Sequence, residues 1–232
     1  MRIFRKEETV STNLDARSGV AGDVFVAEYQ TAGRGRLDHV WHAAKGKNLT
    51  FSMVLEVGEQ EASEVATLPL VVGLGVVDAV KSFLGGDVYL KWPNDVWVGA
   101  KKVCGILCER VSAGVIAGIG LNVNQVEFPS EFCMRATSLA LEVGREVSRE
   151  EVLAAVLKAI EVRHDEWERG GFAAVWPAFC AIDLLKGRKI RLVQTDEERR
   201  GVEGICGGIQ RDGTLLVGGE KVYAGEAHVE GL

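Results

Sequence analysis

Proline is scarce, at four residues in 232, and neither a repeat of fixed period nor a low-complexity segment interrupts the chain. With 47% apolar and 26% charged residues, that composition excludes a chain dominated by disorder and places it among ordinary globular proteins. A long basic tract is also missing, and the formal net charge is -6, so capture of nucleic acid by backbone electrostatics is not expected. The opening residues, Met1-Arg2-Ile3-Phe4-Arg5-Lys6-Glu7-Glu8, lack the apolar segment and cleavage pattern of a secretory signal. No later run reaches transmembrane length without a charge, so a cytoplasmic protein with no membrane partner is expected. The five cysteines, at 104, 108, 133, 180 and 206, are odd in number and form no CxxC pair, which excludes a disulfide framework and a zinc signature. They are read mainly as small buried apolar residues. The four histidines, at 39, 42, 164 and 228, show no metal-ligand pattern, and no protein metal site is expected.

What is present is enough chain to bury a substantial core, best divided into one medium domain, residues 1–182, and a small appendage, residues 183–232. Residues 24–27 form a short apolar run that predicts a strand leading into a glycine-rich loop, and residues 49–57 alternate as another strand. Residues 61–84 predict a long helix, apolar on most sides, which Pro69 interrupts or delays. Segments 87–91, 96–98, 103–108 and 115–119 predict short strands in a mixed or antiparallel sheet. Ser148 followed by Glu151 is a capping-box pattern, and Leu153, Val156, Leu157, Ile160, His164 and Trp167 then recur at helical spacing, with His164 as a packing residue. From Lys189 onward, short apolar runs broken by glycine-rich turns such as Arg211-Asp212-Gly213 predict a small all-strand unit. The fold class is therefore α+β.

Chemistry concentrates in a few segments. In Tyr29-Gln30-Thr31-Ala32-Gly33-Arg34-Gly35-Arg36, followed by Trp41, two glycines permit close backbone approach and two guanidinium groups can surround an anion. Taken alone, the segment also fits a tight surface turn with solvated arginines, and its spacing is neither a dinucleotide fingerprint nor a Walker loop. Lys91-Trp92-Pro93-Asn94-Asp95 ends a strand in a rigid corner that presents Asn94 and Asp95. Lys102-Val103-Cys104-Gly105-Ile106-Leu107 and Gly118-Ile119-Gly120-Leu121-Asn122-Val123-Asn124 follow.

In order and spacing these segments together resemble the biotin protein ligase family, most strongly from Ser11 to Asn124. The resemblance implies a catalytic domain related in fold to class II aminoacyl-tRNA synthetases, followed by an SH3-like barrel. It also implies a two-step reaction, in which biotin attacks the ATP α-phosphate and a lysine of a biotin carboxyl carrier protein then attacks the mixed anhydride. Such activation needs positive donors that tighten as charge develops, not a nucleophilic side chain, and Arg34, Arg36 and Lys102 fit that need. By resemblance, Arg34 lies against the biotin carboxylate and the phosphate, Arg36 forms and retains the adenylate, and Lys102, preferred over its neighbour Lys101, bridges the activated centre. Lys91 gives electrostatic support and Asp95 orients the acceptor lysine.

The same resemblance places Ser11, Thr12, Asn13 and Gln30 around the biotin ureido ring, although Ser11 also suits an N-cap. Gly118 and Gly120 form a close wall, for which a tight bend is the simpler account. Gly33, Gly35, Trp41, Asn94, Gly105 and Asn122 complete the biotin and ATP contacts. Mg2+ is implied as the companion of ATP, with no protein ligand identified. Two departures stand out: Leu37-Asp38-His39-Val40 replaces the more basic, glycine-containing continuation usual in the family, and Val10 stands where an acidic residue is frequent. No N-terminal region is long enough for the winged-helix domain of bifunctional relatives, so DNA binding is not expected. A homodimer is compatible with the resemblance. Lipoate ligase-like acyl transfer and a non-enzymatic biotin-binding module are the competing readings.

Overall fold

A computed structural model describes residues 1–37, 39–193 and 201–229. Seven strands form the main sheet: β1 (Arg2–Lys6), β2 (Asp23–Ala27), β3 (Leu49–Leu55), β4 (Val88–Lys91), β5 (Asp95–Val98), β6 (Lys101–Val111) and β7 (Gly114–Leu121). Their order is β1-β2-β3-β7-β6-β5-β4, parallel between β1 and β2 and antiparallel elsewhere. This is the mixed sheet the short apolar runs predicted. The exposed edge strand β1 was not foreseen. It has no buried face; it is held by pairing with β2 and by the ion pairs Arg5–Glu150 and Lys6–Asp15, none of which leaves a periodic signature.

The alternation along residues 49–57 carries a meaning different from the ordinary inside-outside one. All seven residues of β3 are buried. Leu49, Phe51, Met53 and Leu55 join the main core, whereas Thr50 and Ser52 turn to the other side, where Val54 packs with Ala16 and Ile116. One face of the sheet thus carries large helices, and the opposite face is covered by the short helix α1 (Thr12–Ala16) and by the functional cavity.

The predicted helix over residues 61–84 is two helices, α2 (Ala62–Val65) and α3 (Leu68–Leu84), separated where Pro69 removes an amide donor at the start of the second. Thr67 bridges the break, its hydroxyl donating to the Glu64 carbonyl at 2.6 Å. By composition the 23 residues Ala62–Leu84 are long and apolar enough to cross a membrane, but 67% of that window is buried inside the fold. After α4 (Leu139–Val143) comes α5 (Arg149–Phe179), capped by Ser148, whose side chain accepts from the Glu151 amide as the capping pattern predicted. The helix runs on past Trp167 across a kink at Gly170 and Gly171. α3 is wedged between sheet and α5: a Cβ at Gly73 would collide with Leu90, and one at Gly75 with the backbone of Ile160.

Trp167 locks this layer. It is fully buried, its ring stacks on His164, and its Nε1 donates to Thr67 Oγ1 at 3.1 Å, tying α5 to the break between α2 and α3. Trp167→Ala is therefore expected to lower stability by about 3–5 kcal/mol, measured as a shift in the urea unfolding midpoint at unchanged slope.

The remaining strands, β8 (Lys189–Val193), β9 (Val202–Ile209), β10 (Leu215–Val217), β11 (Glu220–Val222) and β12 (Glu226–Val229), form a five-stranded antiparallel sheet in the order β11-β10-β9-β8-β12. The predicted turn at Arg211-Asp212-Gly213 joins β9 to β10. Gly213 adopts a φ of 78° and Asp212 Oδ1 accepts from the Thr214 amide at 3.1 Å. Trp92 Nε1 donates to the Gly213 carbonyl at 3.2 Å and Trp176 Nε1 to the Ile209 carbonyl at 2.8 Å. These bonds fasten the small sheet to the corner after β4 and to α5, and β12 lines the cavity.

Candidate active site

The cavity, of about 830 Å³, opens on the sheet face opposite α3 and α5. Its floor follows from strand parity. Gly105, Leu107 and Glu109 alternate onto one face of β6, and Gly120 and Gly118 stand opposite Gly105 and Leu107 on β7. The two β7 glycines are not at a bend; they lie within a regular strand. A Cβ on Gly118 would come within 3.0 Å of the Asn13 amide, and one on Gly120 equally close to the Trp41 indole. Glycine is required there because neighbours occupy the space, not because the backbone turns.

One end of the cavity is a connected polar network. Gln30 Oε1 accepts from the Thr12 amide and hydroxyl at 2.8 and 3.1 Å. Ser52 Oγ lies 2.7 Å from Thr12 Oγ1 and 2.6 Å from Asn13 Oδ1. Asn13 Nδ2 donates to Glu109 at 2.7 Å, and Arg34 Nη2 donates to both oxygens of the same carboxylate at 2.9 and 2.8 Å. Burial pushes the Glu109 carboxyl up, but the Asn13 hydrogen bond and the Arg34 charge together hold it below the usual carboxylate range. Ser11 occupies the N-cap position of α1, yet its side chain makes no capping bond, so its hydroxyl is left to the cavity.

The other end is cationic. Lys102 Nζ lies 2.7 Å from Asp95 Oδ1 and 5.7 Å from the centroid of Trp41. Lys91 Nζ lies 5.0 Å over Trp97, and burial, reinforced by the Lys102 charge, lowers its pKa despite Asp95. Arg36 Nη1 donates to the Gly225 carbonyl at 3.3 Å and reaches Asn94 Oδ1 at 3.5 Å; burial also lowers its pKa. Asn94 is itself clamped, donating from Nδ2 to the Ile106 carbonyl at 2.8 Å and accepting from the Ile106 amide at 3.0 Å. Besides Asp95 Oδ1, which is ion-paired with Lys102, three buried polar atoms of cavity-lining residues, Trp41 Nε1, Trp97 Nε1 and Asn122 Oδ1, have no hydrogen-bond partner among the described residues. Orphaned donors and an orphaned acceptor around one cavity are the mark of a site completed by a ligand.

The loop carrying both arginines is closed on itself. The Gly35 amide donates to the His39 carbonyl at 2.6 Å, and the Trp41 amide to the Gly33 carbonyl at 2.9 Å. In the departing segment 37–40, Leu37 is exposed with a φ of 53°, in the left-handed region that a leucine rarely adopts, while Asp38 lies outside the described residues.

Of the residues singled out in the sequence, Ser11, Thr12, Asn13, Gln30, Arg34, Gly35, Arg36, Trp41, Lys91, Asn94, Asp95, Lys102, Gly105, Gly118, Gly120 and Asn122 all line this cavity. Gly33 does not. It stands behind Trp41, where a Cβ would meet the Trp41 carbonyl at 2.8 Å. Two pairings were not foreseen: Arg34 with Glu109, 75 residues apart, and Lys102 with Asp95. Also unforeseen are a wall from residues 128–136 and a rim of Glu226, Ala227, His228 and Val229 from β12. Neither carries a motif, and each reaches the site only through tertiary pairing.

The thiols need one correction, since Cys133 and Cys180 are exposed whereas Cys104 and Cys206 are buried. Burial pushes the Cys108 thiol up to about 12 and the Cys206 thiol up to about 11. Near pH 8 the folded protein should show two fast-reacting thiols toward Ellman's reagent, Cys133 and Cys180, with the remainder reacting only on unfolding. Among the described residues, one group of three potential metal donors occurs, His164, Asp165 and Glu168 on α5; none of them lines the cavity, and His164 Nε2 is 2.8 Å from the Glu56 carbonyl.

Comparison with known proteins bears on this geometry. The family model described as biotin/lipoate A/B protein ligase matches residues 4–125. The biotin--[acetyl-CoA-carboxylase] ligase of Mycobacterium tuberculosis is 33% identical over 234 residues, covering 96% of this chain and 86% of that protein. The bifunctional ligase/repressor BirA of Bacillus subtilis is 31% identical over 238 residues, 97% of this chain and 71% of its own. Among solved structures, the biotin protein ligase from Aquifex aeolicus in complex with biotin and ATP superposes with a TM-score of 0.88 at 32% identity, covering 99% of this chain and 98% of that one.

Proposed function

The chain belongs to the biotin/lipoate A/B protein ligase family, and we propose from that premise that it converts biotin and ATP into biotinyl-5'-adenylate and pyrophosphate, then transfers the biotinyl group to a lysine of a biotin carboxyl carrier protein. The observation that carries the choice of biotin is the slot itself, floored by Gly118 and closed by the Gln30-Thr12-Ser52-Asn13 network. A bicyclic urea satisfies such groups with its own donors and acceptor while its ring lies on the glycine strand. A lipoyl dithiolane offers no hydrogen bonds and leaves them unpaired, which costs far more than a mismatch of shape.

In the first step a biotin carboxylate oxygen forms a bond to the α-phosphorus as the bond to pyrophosphate breaks. No side-chain nucleophile takes part. Lys102 and Arg36 stabilise the charge that develops on the phosphate, and Lys91 adds a half-buried cation behind them. Trp41 and Asn122 offer the adenine a flat surface and hydrogen-bonding atoms left unpartnered by the protein. In the second step the neutral acceptor amine attacks the carbonyl carbon, the bond to the phosphate oxygen breaks so that AMP leaves, and the proton lost by the amine passes to the Asp95 carboxylate and from there to water. Asp95, the carboxylate nearest Lys102, orients that amine and exchanges one ammonium partner for another. Arg34 shares the Glu109 carboxylate with Asn13, so we assign it to steadying the ureido end rather than to the biotin carboxylate and phosphate that the resemblance implied.

Mg2+ is the usual companion of ATP and neutralises phosphate charge. Among the described residues no group of three potential metal donors lines the cavity. Asp95 is paired with Lys102 and Glu109 with Arg34, so an ion entering with ATP is held chiefly by phosphate oxygens and water. Biotin-dependent exchange of labelled pyrophosphate into ATP tests the first step. Exchange with biotin and about a hundredfold less or lower with lipoate is expected; equal exchange with both would overturn the assignment of the slot.

A further inference from the structure

The wall at residues 128–136 carries a cation that the protein does not neutralise. Arg34 is held by Glu109, Lys102 by Asp95, and Arg36 by a carbonyl oxygen. Arg135 lines the same cavity, and its guanidinium makes no hydrogen bond or ion pair among the described residues. Its backbone is nevertheless fixed against the catalytic end, because the Lys102 amide donates to the Arg135 carbonyl at 2.8 Å and the Thr137 amide to the Lys102 carbonyl at 2.9 Å. This bridge is a short parallel extension of the sheet at Lys102. The Arg135 charge is also felt at Lys91, where it adds to the burial that already disfavours the ammonium.

Arg34 aside, four cations among the described residues, Arg36, Lys91, Lys102 and Arg135, thus line the cavity against two carboxylates, Asp95 and Glu226, and only Lys102 is ion-paired with one of them. Such an arrangement is self-repelling when empty and becomes favourable when a multiply charged anion enters. The biotin carboxylate and the adenylate phosphate each carry a single negative charge, and Lys102 and Arg36 suffice for them. The group with charge to spare is the β,γ-diphosphate of ATP, which leaves as pyrophosphate. A guanidinium fork also suits phosphate oxygens better than an ammonium does.

We infer that Arg135 is a binding residue for the departing pyrophosphate, gripping the β- and γ-phosphates of ATP from the 128–136 wall while Lys102 and Arg36 act on the α-phosphate. This assignment rests on the ATP-dependent reading of the cavity, and the test separates the two.

Inorganic pyrophosphate is titrated calorimetrically into the full chain as wild type, Arg135→Ala, Arg135→Lys and Arg145→Ala. Arg145 is an exposed arginine outside the cavity and controls for loss of one charge. Arg135→Ala should weaken pyrophosphate binding and raise KM for ATP by about tenfold or more, a phosphate-binding guanidinium being a charge-assisted contact. Arg135→Lys should recover part of this, Arg145→Ala should stay within about twofold of wild type, and biotin affinity without nucleotide should be unchanged in all four, showing that each variant is folded. Pyrophosphate affinity and ATP KM within twofold in Arg135→Ala, in a wild type that does form biotinyl-adenylate, would remove the role of Arg135 and leave the reaction standing. A wild type that forms no adenylate but loses pyrophosphate binding on Arg135→Ala would keep the polyphosphate site and remove the reaction. Wild type without measurable pyrophosphate binding overturns the inference.

Discussion

Lys102→Ala is expected to slow biotinyl-adenylate formation by about two to three orders of magnitude, the loss typical when a preorganised donor at a developing charge is removed. Two effects add. The ammonium that stabilises the α-phosphate in the transition state is gone, and Asp95, which it neutralised at 2.7 Å, is left as an uncompensated carboxylate facing an incoming polyanion. Lys102→Arg should recover little, because the ammonium sits between Asp95 and the face of Trp41, and a planar fork does not fit that position. A single-turnover assay that follows bound adenylate isolates this step from transfer. Adenylate formation within threefold of wild type in Lys102→Ala would remove the residue from the chemistry.

Gly118→Ala should weaken biotin binding by about a hundredfold, roughly 2.7 kcal/mol, while the nucleotide end is little affected. The added methyl would lie within 3.0 Å of Asn13, a side chain buried to 4% exposure and held by Glu109 and Ser52, so it cannot move aside without breaking the network that reads the ureido ring. Overpacking of this kind also costs about 1–3 kcal/mol of stability. Urea unfolding therefore accompanies the calorimetry, to show that the variant is folded at the temperature of the binding measurement. Unchanged biotin affinity in a folded Gly118→Ala protein would mean that the slot lies elsewhere.

Much of the site was legible because its motifs are local. Lys91 to Asp95 is one hairpin corner, with Lys91 paired to Asp95 across β4 and β5, and the two glycines of β7 are spaced to face the same side of a strand. The strand over 24–27 and the capped helix after Ser148 were legible for the same reason, each being set by residues within a turn or a pleat of one another. What escaped was produced by register and by distance. Lys102 faces Trp97 because a bulge between Val96 and Trp97 shifts the β5–β6 pairing, and no pattern within a single strand announces a bulge in its partner. The alternation at Thr50 and Ser52 does not mark a solvated face, because both are buried and hydrogen-bonded, Thr50 to the Ala27 carbonyl and Ser52 to Thr12 and Asn13 of α1. Glu109 and Arg135 lie in no motif of the sequence. Their roles arise from contacts with Arg34 and with the backbone of Lys102 that join distant parts of the chain.

The central claim is transfer of biotin to a protein lysine, and its most direct test is the intact mass of a biotin carboxyl carrier domain after incubation with this protein, biotin and Mg-ATP. The account predicts an ATP-dependent gain of a single biotinyl group that disappears when the acceptor lysine is replaced. A folded protein that binds biotin yet leaves the mass of a competent carrier unchanged would contradict it.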